Sequence, residues 1–468
     1  MMTMFKSDWQ NKFNALNHTE HTFLRDAILL ISELLPDDEV NNLVKDRSII
    51  SVISQLILEL DTRLSKQLDT ILHHSEFQSL EANWRQIQYL CHQPVSRQRT
   101  KLKLLDMNWQ EVSKDLNQSY SIKQTRLFNV IGNHELNTLG GQPFGCIAFT
   151  APISIDLSIN SDFDDMYTLG LISQLGEQTL CPMLSSPDRQ FFSDIGADWL
   201  TNTTRIKKIL QSTDYLAWQE LRAMPSARFL GLAMPSIKLR ERYTHRRAGF
   251  LYQESTETLW GNACIAFLGI IMREHHRIGW FGFLKARWND KDQGSVIGWN
   301  GAERTESYHE CDAYLFGKIA TFYSNQGFIP LARNNLTGKL LFNGNNSVWA
   351  PSDNDNDKVL AQLQTTLMCC RVAHYLKVQV REMIGSFADI RECEQFLRNW
   401  IEKFSSNVNY ANEETLAKYP LSKAHVSINE SVTNPGHFSC TLKIVPQYQF
   451  DHFNGEVVLT TELGEMMK

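Results

Sequence analysis

The chain has 468 residues, of which 43% are hydrophobic, so it can bury a large core and form about two to four domains. Lys and Arg total 46 against 52 Asp and Glu, and the formal charge of −6 argues against a protein that binds nucleic acid through a basic patch. The sequence has no apolar run of about 18 residues, which excludes a membrane span, and its N-terminus lacks the features of a signal peptide. Nine scattered cysteines without CxxC spacing predict reduced thiols in a cytoplasmic compartment.

Helical periodicity dominates the N-terminal part of the sequence. A polar arm leads into a predicted helix over Thr22–Leu35, which Pro36 ends. A long helix with one buried face follows, because apolar residues recur at helical spacing at Ile53, Leu56, Ile57, Leu60, Leu64, Leu68, Ile71 and Leu72. The long helix ends in a dense patch, His73-His74-x-Glu76-Phe77-x-x-Leu80-Glu81-x-x-Trp84-Arg85. Within this patch the spacing of Phe77, Leu80 and Trp84 predicts that Trp84 is a core residue.

The rest of the sequence mixes short apolar runs with turn residues. Lys101–Met107 begins in strand-like alternation and precedes a predicted helix over Gln110–Gln118. The further predicted elements are strands over Phe144–Ala151 and Phe229–Met234, helices over Leu259–Arg273, Leu360–Ile384 and Cys393–Phe404, and strands within 424–444 and 456–463. Between them, Asn343–Asp357 is predicted to be an exposed loop between domains. The pattern therefore predicts an α/β architecture with a C-terminal sheet domain.

Three groups of residues could be considered as metal sites, and each fails a geometric test. His73 and His74 are adjacent, so on a helix they point about 100° apart and cannot both bind one ion without a break in the helix. The same argument applies to His275 and His276. Asp353-x-Asp355-x-Asp357 resembles the start of a calcium loop, but the glycine and the final glutamate of that loop are missing. The sequence predicts no metal, no cofactor and no enzymatic activity.

A series of motifs runs in order along most of the chain. They are the patch that contains His73, His74, Phe77 and Trp84, the GGQPFG turn at Gly140 and Gly141, the block from Trp218 and Arg222 to Pro235, Trp260-Gly261, the GFIPL segment from Gly327 through Pro330, Arg371-x-Ala373-His374, Trp400-Ile401, Tyr419-Pro420 and Pro435-Gly436. Together these motifs resemble the large subunit of the contractile sheath of type VI secretion systems, the TssC/VipB family. The chain departs from the family pattern at Ala148–Ala151 and Arg240–Tyr243 and resembles a divergent member.

The resemblance implies a multidomain fold similar to that of phage tail sheath proteins. The expected parts are an N-terminal arm and first helix over 1–50, which link protomers, middle and outer α/β domains over 51–345, and a C-terminal inner sheet domain with flanking long helices over 346–468. The implied protein is a bacterial cytoplasmic structural subunit that assembles on a membrane-anchored baseplate. Its implied partners are a small sheath subunit with which it co-folds, further copies of itself, inner-tube hexamers, the baseplate and a AAA+ ATPase that recycles the sheath, with no nucleic acid and no membrane insertion.

The residues expected at interfaces fall into three groups. They are Met4, Phe5, Trp9 and Phe13 of the arm, Arg371, His374, Lys377 and Arg381 of the helix over Leu360–Ile384, and Val426 and Ile428 of the C-terminal strands. The four basic residues fit either a core helix with a solvated face or a helix with part of that face at an interface. Edges of the C-terminal strands could accept a strand from a partner. Two alternatives remain open from the sequence: a sheath-like protein of another contractile system or a non-contracting paralogue, and a metal-dependent hydrolase that uses the histidine pairs.

Overall fold

The computed structural model describes residues 49–155, 163–192, 197–247, 250–255, 258–282, 284, 294–297, 299, 311–334, 338–383, 390–405, 418–430, 437–447 and 456–465. The arm residues and the predicted helix over Thr22–Leu35 lie outside this range. The chain divides into two compact units, one comprising Met1–Ser79 with Glu241–Thr258 and the other Leu80–Arg240 with Leu259–Lys468. In the described residues no helix is long and apolar enough to cross a membrane.

The main helices and strands can be numbered in chain order. The helices are α1 (Ile49–Leu72), α2 (Ser75–Cys91), α3 (Trp109–Gln118), α4 (Asp165–Thr179), α5 (Thr203–Leu210), α6 (Leu216–Ala223), α7 (Ala263–Ile278), α8 (Gly317–Asn325), α9 (Asp355–Leu360), α10 (Leu363–Met383) and α11 (Ile390–Glu402). The strands are β1 (Ile147–Ile153), β2 (Met183–Pro187), β3 (Leu230–Met234), β4 (Ile237–Lys238), β5 (Thr244–Arg247), β6 (Phe250–Gln253), β7 (Trp260–Gly261), β8 (Phe328–Arg333), β9 (Leu340–Phe342), β10 (Leu421–Glu430), β11 (His437–Pro446) and β12 (Val457–Glu465).

The larger unit is built on a five-stranded sheet in the order β1-β2-β3-β8-β9. The first four strands are parallel, and β9 runs antiparallel to β8. Alternate residues of β3 face opposite sides, since Leu232 packs into a core cluster with α4 and Ala233 into a second cluster with α7. A parallel sheet covered by helices on both faces is the α/β architecture that the sequence predicts.

The C-terminal part of the larger unit contains an antiparallel sheet in the order β10-β11-β12. The helices α10 and α11 cover one face of this sheet and form a third core cluster with it. The predicted C-terminal sheet with long flanking helices is therefore confirmed. The outer surface of the sheet carries polar or exposed side chains such as Lys423, His425 and Lys443.

The smaller unit contains α1 and the hairpin formed by β5 and β6. Two acidic residues of α1 bind the hairpin: Asp69 accepts a hydrogen bond of 2.6 Å from the Tyr252 hydroxyl, and Asp61 accepts one of 3.2 Å from the Leu251 N–H. The face of α1 that meets the hairpin is thus its acidic face.

Several local predictions are corrected by the structure. The long helix stops at Leu72 and a new helix begins at Ser75, so the histidine pair lies at a break. The segment Asn343–Asp357 is exposed only in its second half, at residues 350 and 352–356, whereas Asn345, Ser347 and Val348 are buried and the Val348 N–H bonds to the Leu230 carbonyl.

The segment Lys101–Met107 forms no strand. The helix that follows it is confirmed: α3 begins with a capping box in which the Asn108 side chain accepts from the Glu111 N–H and the Glu111 carboxylate accepts from the Asn108 N–H.

Candidate assembly interface

The edges of the C-terminal sheet are the first feature that bears on assembly. In the described residues, no strand pairs with the outer edge of β12. The outer edge of β10 meets the described chain at its first residue, where Leu421 bridges Ser405 and donates its N–H to the Phe404 carbonyl at 3.2 Å. Such edges present backbone donors and acceptors that a further strand can use.

The two strand residues expected at an interface point inward. Val426 is 2% exposed and Ile428 is 8% exposed, and both belong to the core cluster formed with α10 and α11. Their contact with a partner strand would therefore run through the backbone. The preceding Pro420 is also buried, and its carbonyl accepts the Gln447 N–H at 2.7 Å.

The four basic residues of α10 do not share one solvated face. His374 is 3% exposed, and neither ring nitrogen has a hydrogen-bond partner of ordinary geometry. Burial lowers the pKa of His374 to about 4, so the ring is neutral at pH 7 and adds no charge to this face of α10. Arg371 is half-buried over the Tyr375 ring, and Lys377 donates to the Asn137 side chain at 2.9 Å. The Arg381 side chain lies outside the described residues.

An aromatic cleft opens beside α10 and α11. It has a volume of about 250 Å³ and is lined by Gly279, Trp280, Tyr375, Val378, Gln379, Trp400 and Phe404. The Trp400 ring meets the Phe404 ring edge-on at 5.4 Å, and Tyr375 stacks on Phe404 at 6.3 Å. Trp400 is thus half-buried as part of a cluster of rings rather than exposed alone.

His73, the first residue of the patch from His73 to Arg85, makes a polar contact within the smaller unit. The His73 Nε2 lies 3.2 Å from the Glu254 carboxylate, which also accepts the Tyr243 N–H at 2.7 Å. His74 is exposed. Over the described part of the chain, no three His, Cys, Asp or Glu side chains are placed to hold a metal ion. His73 therefore has a structural role at the end of α1.

The apolar residues of α1 and α2 give the largest departure from expectation. The stripe predicted to be buried on α1 is about half exposed at Ile57, Leu60, Leu64 and Ile71, whereas Leu72 is buried. The physical reason is that α1 packs on the hairpin through its acidic residues instead.

On α2 the residues predicted to lie in the core are also exposed. Trp84 is 64% exposed, Leu80 55% and Phe77 37%, so the prediction of Trp84 as a core residue is wrong for the chain by itself. Together, α1 and α2 each present apolar side chains that the described chain does not cover.

The glycine motifs lie in the scaffold. Gly140 has a φ of +81°, and a Cβ on Gly141 would come within 2.4 Å of the Glu135 carbonyl oxygen, so the GGQPFG turn needs both glycines. Gly327 has a φ of +90° at the turn into β8, where Pro330 is buried and pairs with Met234.

The tryptophan motif is also structural. Trp260 in β7 is half-buried beneath the Arg189 guanidinium at 5.0 Å from its ring centroid. A Cβ on Gly261 would come within 2.6 Å of the Leu239 side chain, so this position accepts no larger residue without rearrangement.

An ion-pair network near the start of α2 was not predicted from the sequence. The Glu81 carboxylate binds the Arg240 guanidinium through two contacts of 2.8 and 3.2 Å, and Arg85 adds a third at 2.8 Å. The Arg240 and Glu81 side chains are only 7% and 11% exposed. Glu81 belongs to the signature patch, but its partner is 159 positions away, a separation that periodicity cannot reveal.

Two family models match the chain. The tail sheath N-terminal domain of the EvpB/VC_A0108 family matches residues 54–349, and its gpW/gp25-like tail sheath domain matches residues 352–463. The chain belongs to the EvpB/VC_A0108 tail sheath family. It is also similar to the type VI secretion system sheath protein TssC1 of Pseudomonas aeruginosa, with 26% identity over 449 residues that cover 91% of this chain and 88% of that protein.

Among solved structures, the sheath tail protein of Desulfitobacterium hafniense resembles the chain with a TM-score of 0.32 and 8% identity. The match covers 64% of this chain and 62% of that one. The family matches confirm the resemblance predicted from the motifs. The chain is a divergent member of the TssC/VipB family of tail sheath proteins, which are structural proteins.

Proposed function

We propose that this sheath subunit co-folds with a small sheath subunit, and that the pair polymerises into a helical tube around an inner tube. Contraction of that tube would drive effector delivery. The energy would come from the difference between two packings of the same subunits, so the mechanism needs no catalytic residue.

The observation that carries the proposal is the open edge of the C-terminal sheet. The sheet β10-β11-β12 is anchored on one face by α10 and α11, while the outer edge of β12 has no pairing strand in the described residues. A strand from the small subunit would satisfy those backbone groups, and the fixed alternation of side chains would set its register.

The uncovered apolar side chains of α1 and α2 add support. Exposed stripes such as Ile57, Leu60 and Leu64 are costly in water and favour contact with another chain. Contacts of different surfaces on successive subunits generate a helical filament when the rotation does not close, which is the symmetry of a tube.

The remaining parts of the assembly follow from the family membership and stay proposals. The arm with Met4, Phe5, Trp9 and Phe13 would link one protomer to the next, and Arg371, Lys377 and Arg381 would contribute to an interface of α10. The domains proposed are 1–50, 51–345 and 346–468. Further partners would be inner-tube hexamers, a baseplate and a AAA+ ATPase, in the bacterial cytoplasm.

Co-expression tests the proposal directly. The chain expressed alone is expected to aggregate or be degraded, because the described residues leave a sheet edge unpaired and apolar side chains exposed. The small subunit should rescue it as a complex that forms tubes in electron micrographs. A stable, monodisperse chain that ignores the small subunit would contradict the proposal.

Deletion of residues 1–13 separates folding from linkage. The truncated chain should still form the complex with the small subunit but no long tubes. Tubes of normal length from the truncated chain would show that the arm has no role in linkage.

A further inference from the structure

The segment Lys101–Met107 combines a strand-like sequence with an unpaired backbone. It runs without helix, turn or bend between the end of α2 and the start of α3. Its seven residues make no backbone hydrogen bond to any other described residue. Backbone groups in a folded chain are almost always paired or solvated, so a straight unpaired run is a ready edge for another strand.

Side-chain contacts hold this segment in place on the larger unit. Leu102 packs against the core cluster on the α7 side of the sheet, and Met107 packs against the cluster on the α4 side. The Lys103 ammonium lies 5.3 Å from the centre of the Phe144 ring and binds the Glu135 carboxylate. The segment is therefore positioned before any partner arrives, which lowers the entropic cost of binding.

The centre of the segment is exposed and apolar. Leu104 is 61% exposed and Leu105 is 59% exposed, although they are adjacent and flanked by charged residues. The ends of the segment carry opposite charges, because Lys101 and Asp106 are both exposed. The Lys101 ammonium donates a hydrogen bond of 2.7 Å to the side-chain carbonyl oxygen of Gln142. A matching strand would place apolar residues at its centre, an acidic residue near Lys101 and a basic residue near Asp106.

We infer that Lys101–Met107 is a second site of strand addition, separate from the C-terminal sheet, and that its occupant is an extended segment of the small sheath subunit. The inference rests on the proposed function for the identity of that partner. Self-pairing of two copies through this segment is disfavoured for two reasons. Antiparallel pairing centred on Leu104 would set Asp106 against the half-buried Leu102, and a twofold contact would close a dimer instead of extending a helix.

Hydrogen–deuterium exchange on the complex of the full chain with the small subunit tests the site. In the unpolymerised complex, amides within Lys101–Met107 should exchange at least about tenfold more slowly than expected for an unpaired segment, a change that corresponds to about 1.4 kcal/mol. Protection that appears only in tubes would assign the site to a second copy and overturn the inference. Protection lost on deletion of residues 1–13 would assign it to the chain's own arm, and an absence of protection in every form would exclude strand addition.

Substitutions provide a second readout. L104K with L105K should weaken capture of the small subunit at least about tenfold, because two lysines replace the apolar centre of the contact. Leu216→Lys is the matched control, since Leu216 is 57% exposed on α6, and it should leave capture unchanged.

Single prolines refine the geometry. Neighbouring N–H groups of a strand point to opposite sides, so Leu104→Pro and Leu105→Pro should differ, with one variant losing the protection and the other retaining most of it. The inference would be overturned if both proline variants and the lysine variant matched the parent in amide protection and in capture of the small subunit. If tubes form although the amides of Lys101–Met107 exchange without protection, the proposed function stands and only the inference fails. If the parent chain binds no small subunit, the inference and the proposed function are both contradicted.

Discussion

Removal of the Glu81 carboxylate should destabilise the larger unit more than removal of any solvated acid. Glu81 makes contacts of 2.8 and 3.2 Å to Arg240, whose side chain is 7% exposed, and one of 2.8 Å to Arg85. The variant Glu81→Gln keeps the size of the side chain but removes the negative charge beside a buried guanidinium. Breaking a buried ion pair in this way costs about 3–5 kcal/mol. That is a large part of a typical folding stability of about 5–15 kcal/mol.

The matched control is Glu394→Gln on α11. Glu394 also binds an arginine at short range, 2.7 Å from Arg398, but the two side chains are 30% and 42% exposed, so its loss should cost less than about 1 kcal/mol. Denaturant midpoints of the two variants and the parent would be compared in the complex with the small subunit. A double variant, Glu81→Leu with Arg240→Met, should recover part of the loss, because neither buried charge of that pair remains. Equal midpoints for Glu81→Gln and Glu394→Gln would refute the reasoning.

Two further predictions follow from burial. The pKa of His374 is about 4 in the folded chain, against an ordinary value of 6.5, so the unfolded state takes up a proton first as the pH falls. The folding stability should therefore decrease between pH 6.5 and pH 4, by up to about 3 kcal/mol. In pH-dependent melts His374→Phe should reduce this loss of stability, and an unchanged loss would show that another group causes it. Trp218 is 1% exposed and Trp84 is 64% exposed, so thermal melts should show a loss of about 3–5 kcal/mol for Trp218→Ala and under about 1 kcal/mol for Trp84→Ala unless a partner covers that ring.

The sequence predicts best those elements whose periodicity and burial agree within one chain. The strand β3 and the helices α7, α10 and α11 were all found within a few residues of their predicted bounds. On α10 the apolar residues Leu363 and Leu367 are buried in a core cluster. In these elements the pattern of apolar residues predicts the packing correctly, because the sheet that the helices cover belongs to the same chain.

The failures have a different physical origin. Periodicity identifies the apolar face of α1 correctly but cannot say which molecule covers it, and the structure leaves Leu60 and Leu64 about half exposed. The burial of His374 is not visible in the sequence, because a histidine is equally compatible with a solvated face and with a neutral buried ring. The Glu81–Arg240 pair joins residues far apart in sequence, so no local pattern contains it.

The errors at α1, α2 and Lys101–Met107 share one direction. In each, the sequence carries the signal of a buried or paired element, and in each the single chain leaves that element uncovered or unpaired in the described residues. Unmet burial at these three elements is what a subunit shows when part of its core is completed by other chains. The departures from the predicted structure thus favour the same obligate assembly that the open edge of β12 does.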